Sequence, residues 1–227
     1  MGVPYIIFTT LDTNKQLNSF YTYGLILSKQ DIGTPLVKTN EIEIEGMDGS
    51  LDISEAFGEV FYKNRTLTFT FHIAGDIYAW DEIRTRIADD LHGKRVKINI
   101  YSDSNFYYIG RCSIDKYQSS KGLGTITIKC ICEPYKYGTN YYKSFTLGTT
   151  ANATVTQSFE VSGAAVKILC DATGATSDVT FKIDSGVTYT VSKGQTIYYP
   201  TLITSGQHTI QVTGQGSAAI SFTNRNI

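Results

Sequence analysis

The feature that most constrains this chain is a strict alternation of apolar and polar residues that recurs in short runs. Leu67-Thr68-Phe69-Thr70-Phe71, Val96-Lys97-Ile98-Asn99-Ile100 and Thr125-Ile126-Thr127-Ile128-Lys129 all carry their large apolar side chains at every second position. Period two gives a strand one buried face, whereas a helix would scatter the same residues around its circumference. Branched and aromatic side chains suit a pleated surface, and the 16 Tyr and 11 Phe, set against 2 Met and 4 Pro, push in the same direction. The chain is therefore read as mainly β. Glu41-Ile42-Glu43-Ile44-Glu45 alternates too, which predicts a half-buried strand with three carboxylates on one face and two isoleucines on the other. Asp103-Ser104-Asn105 between two such runs reads as a hairpin loop.

One segment breaks the pattern. Trp80, Ile83, Ile87 and Leu91 recur at helical spacing, Asp76 stands ahead as an N-cap, and Gly93 follows as a terminator. They predict one α-helix over about residues 77–91, its Trp80 face on a sheet and Arg84, Arg86, Asp89 and Asp90 toward water or a partner subunit.

Charge thins out near residue 140. Beyond that point the only charged side chains are Lys143, Lys167, Lys182, Lys193 and Arg225 with Glu160, Asp171, Asp178 and Asp184. The stretch Pro134 to Thr139 is the expected junction, dividing the chain into domains 1–139 and 140–227. The first is expected to be a β-sandwich-like domain bearing the single helix. The second is a series of short runs punctuated by Asp184-Ser185-Gly186, Ser192-Lys193-Gly194 and Gly214-Gln215-Gly216, the pattern of a β-sandwich or jelly roll.

A net charge of −1, from 20 basic and 21 acidic residues, supplies no attraction to phosphate, so specific nucleic-acid binding is not expected. No run approaches the ~20 apolar residues of a membrane span, and the start has no cationic leader, so the chain reads as cytoplasmic when made. Cys112, Cys130, Cys132 and Cys170 are too few for a disulfide scaffold and read as reduced, buried thiols.

Reactive constellations are thin. Glu41, Glu43 and Glu45 would stand ~6 to 7 Å apart along a strand, within the range of glycosidase carboxylate pairs, but one wet sheet face is the simpler explanation and is preferred. The cysteines lack the two spaced ligand pairs of a zinc site. His72, His92 and His208 accompany no nucleophile motif. Asp48-Gly49-Ser50-Leu51-Asp52 lacks the full ligand run of a calcium loop, and Lys121 with Gly122 and Gly124 does not make a phosphate loop. No cofactor, metal or enzymatic activity is expected. Tyr189, Tyr198 and Tyr199, with Tyr141 and Tyr142, are candidates for stacking on sugar rings, since an aromatic face and its hydroxyl match a pyranose; packing is the competing role.

Across residues 40 to 140 the order of signals runs from Glu45-Gly46-Met47-Asp48-Gly49-Ser50-Leu51-Asp52-Ile53-Ser54-Glu55-Ala56-Phe57-Gly58 through Tyr62-Lys63-Asn64-Arg65 and the strand after it. It continues through the Trp-bearing helix to Leu91-His92-Gly93-Lys94, then Phe106-Tyr107-Tyr108-Ile109-Gly110-Arg111, and ends at Cys132-Glu133-Pro134-Tyr135-Lys136-Tyr137. That order resembles the N-terminal domain of distal tail (Dit) proteins of long-tailed phages with non-contractile tails. The resemblance implies a non-enzymatic virion protein of the tail tip or baseplate, forming a homo-hexameric ring hub. Its implied partners are itself, the tail tube protein, the tail-tip hub protein, the tape-measure protein, and a receptor-binding protein or host cell-wall polysaccharide. It also implies a galectin-like or carbohydrate-module-like C-terminal domain. In such a ring the Glu41, Glu43 and Glu45 row is a candidate lumen lining that repels passing DNA. The alternative is a carbohydrate-binding module that recognises host cell-wall polysaccharide.

Overall fold

A computed structural model describes residues 3–56, 60–73, 80–120, 123–150 and 153–227. The chain forms two compact units, Met1–Lys136 and Tyr137–Ile227. The alternating runs become strands: β1 (Ile6–Thr10), β2 (Gln16–Asn18), β3 (Leu25–Ile32), β4 (Glu41–Glu43), β5 (Ser50–Asp52), β6 (Arg65–Ile73), β7 (Arg95–Ile100), β8 (Tyr108–Ser120) and β9 (Leu123–Cys132). Seven of them form one antiparallel sheet in the order β2-β1-β7-β8-β9-β6-β3, while β4 and β5 form a separate two-stranded sheet among the described residues. Period two is visible in burial: Leu67, Phe69, Phe71 and Ile73 of β6 are buried beside Ile126, Ile128, Cys130 and Cys132 of β9. Phe8 of β1 meets Phe69 edge-on at 6.2 Å between ring centres, an arrangement the ring quadrupoles favour.

Among the described residues two α-helices accompany this sheet. The second, α2 (Trp80–Leu91), buries Trp80, Ile87 and Leu91, as the helical spacing predicts. Asp76 lies outside the described residues. The first, α1 (Ser19–Tyr23), was not foreseen, because five residues are too few to show a period. Its signals are local: the Asn18 side chain caps the Phe20 and Tyr21 N–H groups, and Gly24 closes it at φ 68°.

Asp90 departs from expectation. Rather than simply facing water, it accepts from Lys15 Nζ at 2.6 Å and from the Tyr23 hydroxyl at 2.7 Å, tying α2 to α1 and to the β1–β2 turn. Burial pushes its carboxyl up, but those two hydrogen bonds and the Lys15 charge outweigh it and hold it below the ordinary 3.8. A carboxylate depressed by folding contributes stability that is present above its unfolded value and lost as pH falls through the folded one. Asp90→Asn is therefore expected to lower stability by about 1 kcal/mol at neutral pH and to flatten the loss seen below about pH 4 in urea titrations.

The expectation of four reduced thiols is also corrected. Cys112 and Cys130 are directly opposed on β8 and β9, with Cα atoms 4.1 Å apart, and are joined as a disulfide. Closely spaced antiparallel pairs bring side chains together in this way, and pairing register is not something a cysteine count can show. Cys132 and Cys170 are free and buried, their thiols pushed up to about 12 by burial. Unfolding the unreduced chain in alkylating reagent should label two cysteines by intact mass, and all four after reduction. Opening this link, whose ends are separated by 18 residues, should lower stability by about 3 kcal/mol on loop-closure grounds.

The second unit holds β10 (Lys136–Leu147, which begins at the boundary), β11 (Ala153–Val161), β12 (Leu169–Asp171), β13 (Val179–Ile183), β14 (Tyr189–Val191), β15 (Thr196–Tyr198), β16 (Gly206–Gly214) and β17 (Gly216–Asn226). They form two four-stranded sheets, β10-β17-β12-β15 and β11-β16-β13-β14. Phe145, Ile168, Cys170, Phe181, Ile210 and Ile220 are among the residues of their common core. Consecutive strands often change sheet here: β14 pairs with β13 but β15 with β12, and β16 and β17 lie in different sheets. Gly214-Gln215-Gly216 is thus a corner between layers. Gly216 takes φ 89°, and a Cβ there would stand 2.7 Å from the Gly174 carbonyl oxygen.

Candidate functional site

Between β3 and β6 the chain leaves the seven-stranded sheet as an arm. Arg65 clamps its base: this buried guanidinium donates through Nε to the Gly33 carbonyl at 2.8 Å and through Nη1 to the Pro134 carbonyl at 3.2 Å, over the Tyr108 ring. Ladder bonds from Lys38 N to Phe61 O and from Lys63 N to Leu36 O continue outward, and β4 with β5 forms the tip. Arg65 was legible in the sequence as part of a matched segment, but its clamping role was not, since both acceptors are distant backbone carbonyls.

The tip corrects one expectation. Ile42 and Ile44 do not face a core; they are 47% and 44% exposed. Ile42 lies opposite Leu51, itself 46% exposed, and Met47 in the turn is as open. Glu41 and Glu43 share the other face with Ser50 and Asp52, and Ser50 Oγ donates to Glu41 at 2.8 Å. Glu45 falls in the turn after β4, so the three glutamates do not form a single strand row. The physical reason is that alternation reports two chemically different faces, not whether anything covers the apolar one.

The stacking candidates separate as well. Tyr199 is 3% exposed, and its hydroxyl donates to the Val187 carbonyl at 2.6 Å. Tyr189 packs edge-on against it at 6.2 Å. Both belong to packing rather than to an open platform. Tyr198, one residue before Tyr199, is 57% exposed.

Tyr198 lies in an open cleft of about 670 Å³ in the second unit, together with Tyr142, Asn140, Lys167, Leu169, Ser221, Thr223 and Arg225. Strand alternation explains the grouping: Ser221, Thr223 and Arg225 project from one face of β17, while Ile220 and Phe222 turn into the core. Leu169 lies directly between Tyr198 and Ser221 in adjacent strands. Thr223 Oγ1 donates to Asn140 Oδ1 at 2.6 Å, and Arg225 Nε donates to the Ala165 carbonyl at 2.6 Å. Tyr141 stacks on Phe222 at 4.7 Å and forms part of the wall.

The histidines are engaged separately: His72 with Thr125, His92 with the Ile114 N–H, and His208 with Asp184 and the Thr204 carbonyl.

These features define a mainly antiparallel β protein whose conspicuous elements are surfaces, namely an amphipathic arm and a tyrosine-lined sheet face. Among solved structures, the chain is similar to the Dit protein (gp 19.1) of SPP1, described as a paradigm of hub adsorption apparatus in phages that infect Gram-positive hosts. The TM-score is 0.70 at 14% identity, with 100% of both chains covered. The two share a fold through both units. An exo-β-1,3-galactanase from Phanerochaete chrysosporium aligns over 88% of this chain and 69% of its own with a TM-score of only 0.26 and 10% identity. No protein-family model and no curated protein sequence matches.

Proposed function

We propose that this chain is a distal tail protein, a structural subunit of a phage tail tip that assembles into a homo-hexameric ring. The observation that carries the reading is full-length similarity of fold to SPP1 Dit. The arm supports self-association specifically. Ile42, Ile44, Met47 and Leu51 form an apolar surface on a two-stranded element outside any sheet of its own unit, and such a surface in water favours a partner. A copy of the same chain is the partner a closed ring requires. The ring would join the tail tube to the tip hub protein, near the end of the tape measure, and would reside in the virion. Its role needs surfaces and no chemistry, so hydrolytic activity is not expected. Glu41 and Glu43 on the opposite face of the arm, with Glu45 at its turn, would present negative charge toward a lumen through which DNA passes.

Light scattering and negative-stain electron microscopy of the purified chain test this reading. Closed rings of six subunits are expected. A chain that stays monomeric at high concentration and forms no ring in assembled tails would sink it.

A second reading, a carbohydrate-binding unit, is favoured by the cleft around Tyr142 and Tyr198 and not by Tyr189 or Tyr199. It is compatible with the first, since the arm and the cleft lie in different units.

A further inference from the structure

We infer that the outer face of the β10-β17-β12-β15 sheet binds an acidic glycan, one whose sugar rings carry carboxylate or phosphate groups. The inference rests on the second reading above and adds the charge class of the ligand and the residues that read it.

Tyr142 and Tyr198 are 67% and 57% exposed, and they stand on the two outermost strands of one sheet. Three inter-strand spacings separate those strands, roughly 14 Å. The floor between them includes Leu169 and Ser221, paired residues of the two inner strands. A ligand spanning that distance must offer apolar faces at its ends and hydroxyl-bearing edges between, which describes a short run of pyranose rings better than an aliphatic or peptide segment. Asn140, Ser221 and Thr223 supply side-chain donors and acceptors along the path. The volume of about 670 Å³ falls in the range of small-ligand clefts.

The charge of the lining sets the class. Lys167 and Arg225 both face the cleft, and among the described residues that line it there is no Asp or Glu. This is a local excess of positive charge in a chain whose net charge is −1. Arg225 is held in place by its bond to the Ala165 carbonyl, whereas Lys167 is exposed and can follow a ligand. A neutral glycan offers the Lys167 ammonium nothing beyond an ordinary hydrogen bond; an anionic one gains a charge-assisted contact there.

The test is isothermal titration of the full chain with polygalacturonate, phosphorylated dextran and neutral dextran, at low and at high salt. Heat with one or both polyanions, and little with dextran, is expected. Tyr142→Ala and Tyr198→Ala, both exposed positions whose loss should leave the melting curve unchanged, should each weaken binding roughly tenfold. Lys167→Gln should weaken binding of the polyanion and reduce its salt dependence. Whether carboxylate or phosphate is preferred is read from the two polyanions. Dextran binding as strong as the polyanions would overturn the acidic class while leaving the carbohydrate reading intact. Silence with all three polymers would remove both. Polyanion binding indifferent to Tyr142 and Tyr198 would place the contact elsewhere and equally defeat the inference.

Discussion

Replacing Trp80 with alanine is expected to lower the stability of the first unit by about 3–5 kcal/mol, the cost of emptying a site the size of an indole in a packed core. Trp80 is 2% exposed and opens α2. Gly124 on β9 provides the flat surface it lies on: a Cβ there would come within 3.1 Å of the ring. Removing the ring leaves a void that neither the helix nor a hydrogen-bonded strand can collapse to fill, and the contact anchoring the start of α2 goes with it. Trp80→Phe should cost much less, about 1 kcal/mol. It keeps most of the apolar area and removes the indole N–H, which is buried with no hydrogen-bond partner among the described residues. Urea unfolding followed by far-UV circular dichroism of both variants checks the pair. Equal losses in the two would mean that the ring's volume is not what holds the helix.

Ile42→Asp combined with Leu51→Asp is expected to abolish the proposed ring assembly while leaving the fold intact. The two side chains oppose each other on the arm and are about half exposed in the single chain, so the monomer loses little when they change. In a ring they would be covered, and each contact would lose their burial and gain two unpaired carboxylates. That is about 3 kcal/mol or more per interface, over a hundredfold in affinity. Glu41→Gln with Glu43→Gln, on the other face, is the matched control and should still assemble. Sedimentation velocity separates the outcomes. Rings that persist in the Asp pair would remove the arm from the subunit contact, and a lowered melting temperature would mean its apolar face is used within the chain.

Much of the first unit was readable from periodicity alone. The alternation at Leu67–Phe71, Val96–Ile100 and Thr125–Lys129 appears as buried and half-buried faces of β6, β7 and β9. The helical spacing from Trp80 to Leu91 appears as α2. The same rule misled at Glu41–Glu45, where the pattern is equally clean but Ile42 and Ile44 stay outside the core, 47% and 44% exposed. The tyrosine candidates divide for a related reason: Tyr198, the last residue of its strand, is exposed, while Tyr199 next to it is buried, and sequence adjacency does not reveal that difference.

Local preference therefore settled the longer strands, the longer helix and many of the turns, because φ/ψ propensity and side-chain period are properties of a few consecutive residues. Tertiary structure alone decided the rest. It set the β8–β9 register that joins Cys112 to Cys130, the crossing of β15 and β17 into the sheet that carries Tyr198, Ser221 and Tyr142, and the clamp that brings Arg65 to Gly33 and Pro134. These depend on pairings between residues far apart in the chain, whose energies no single segment contains.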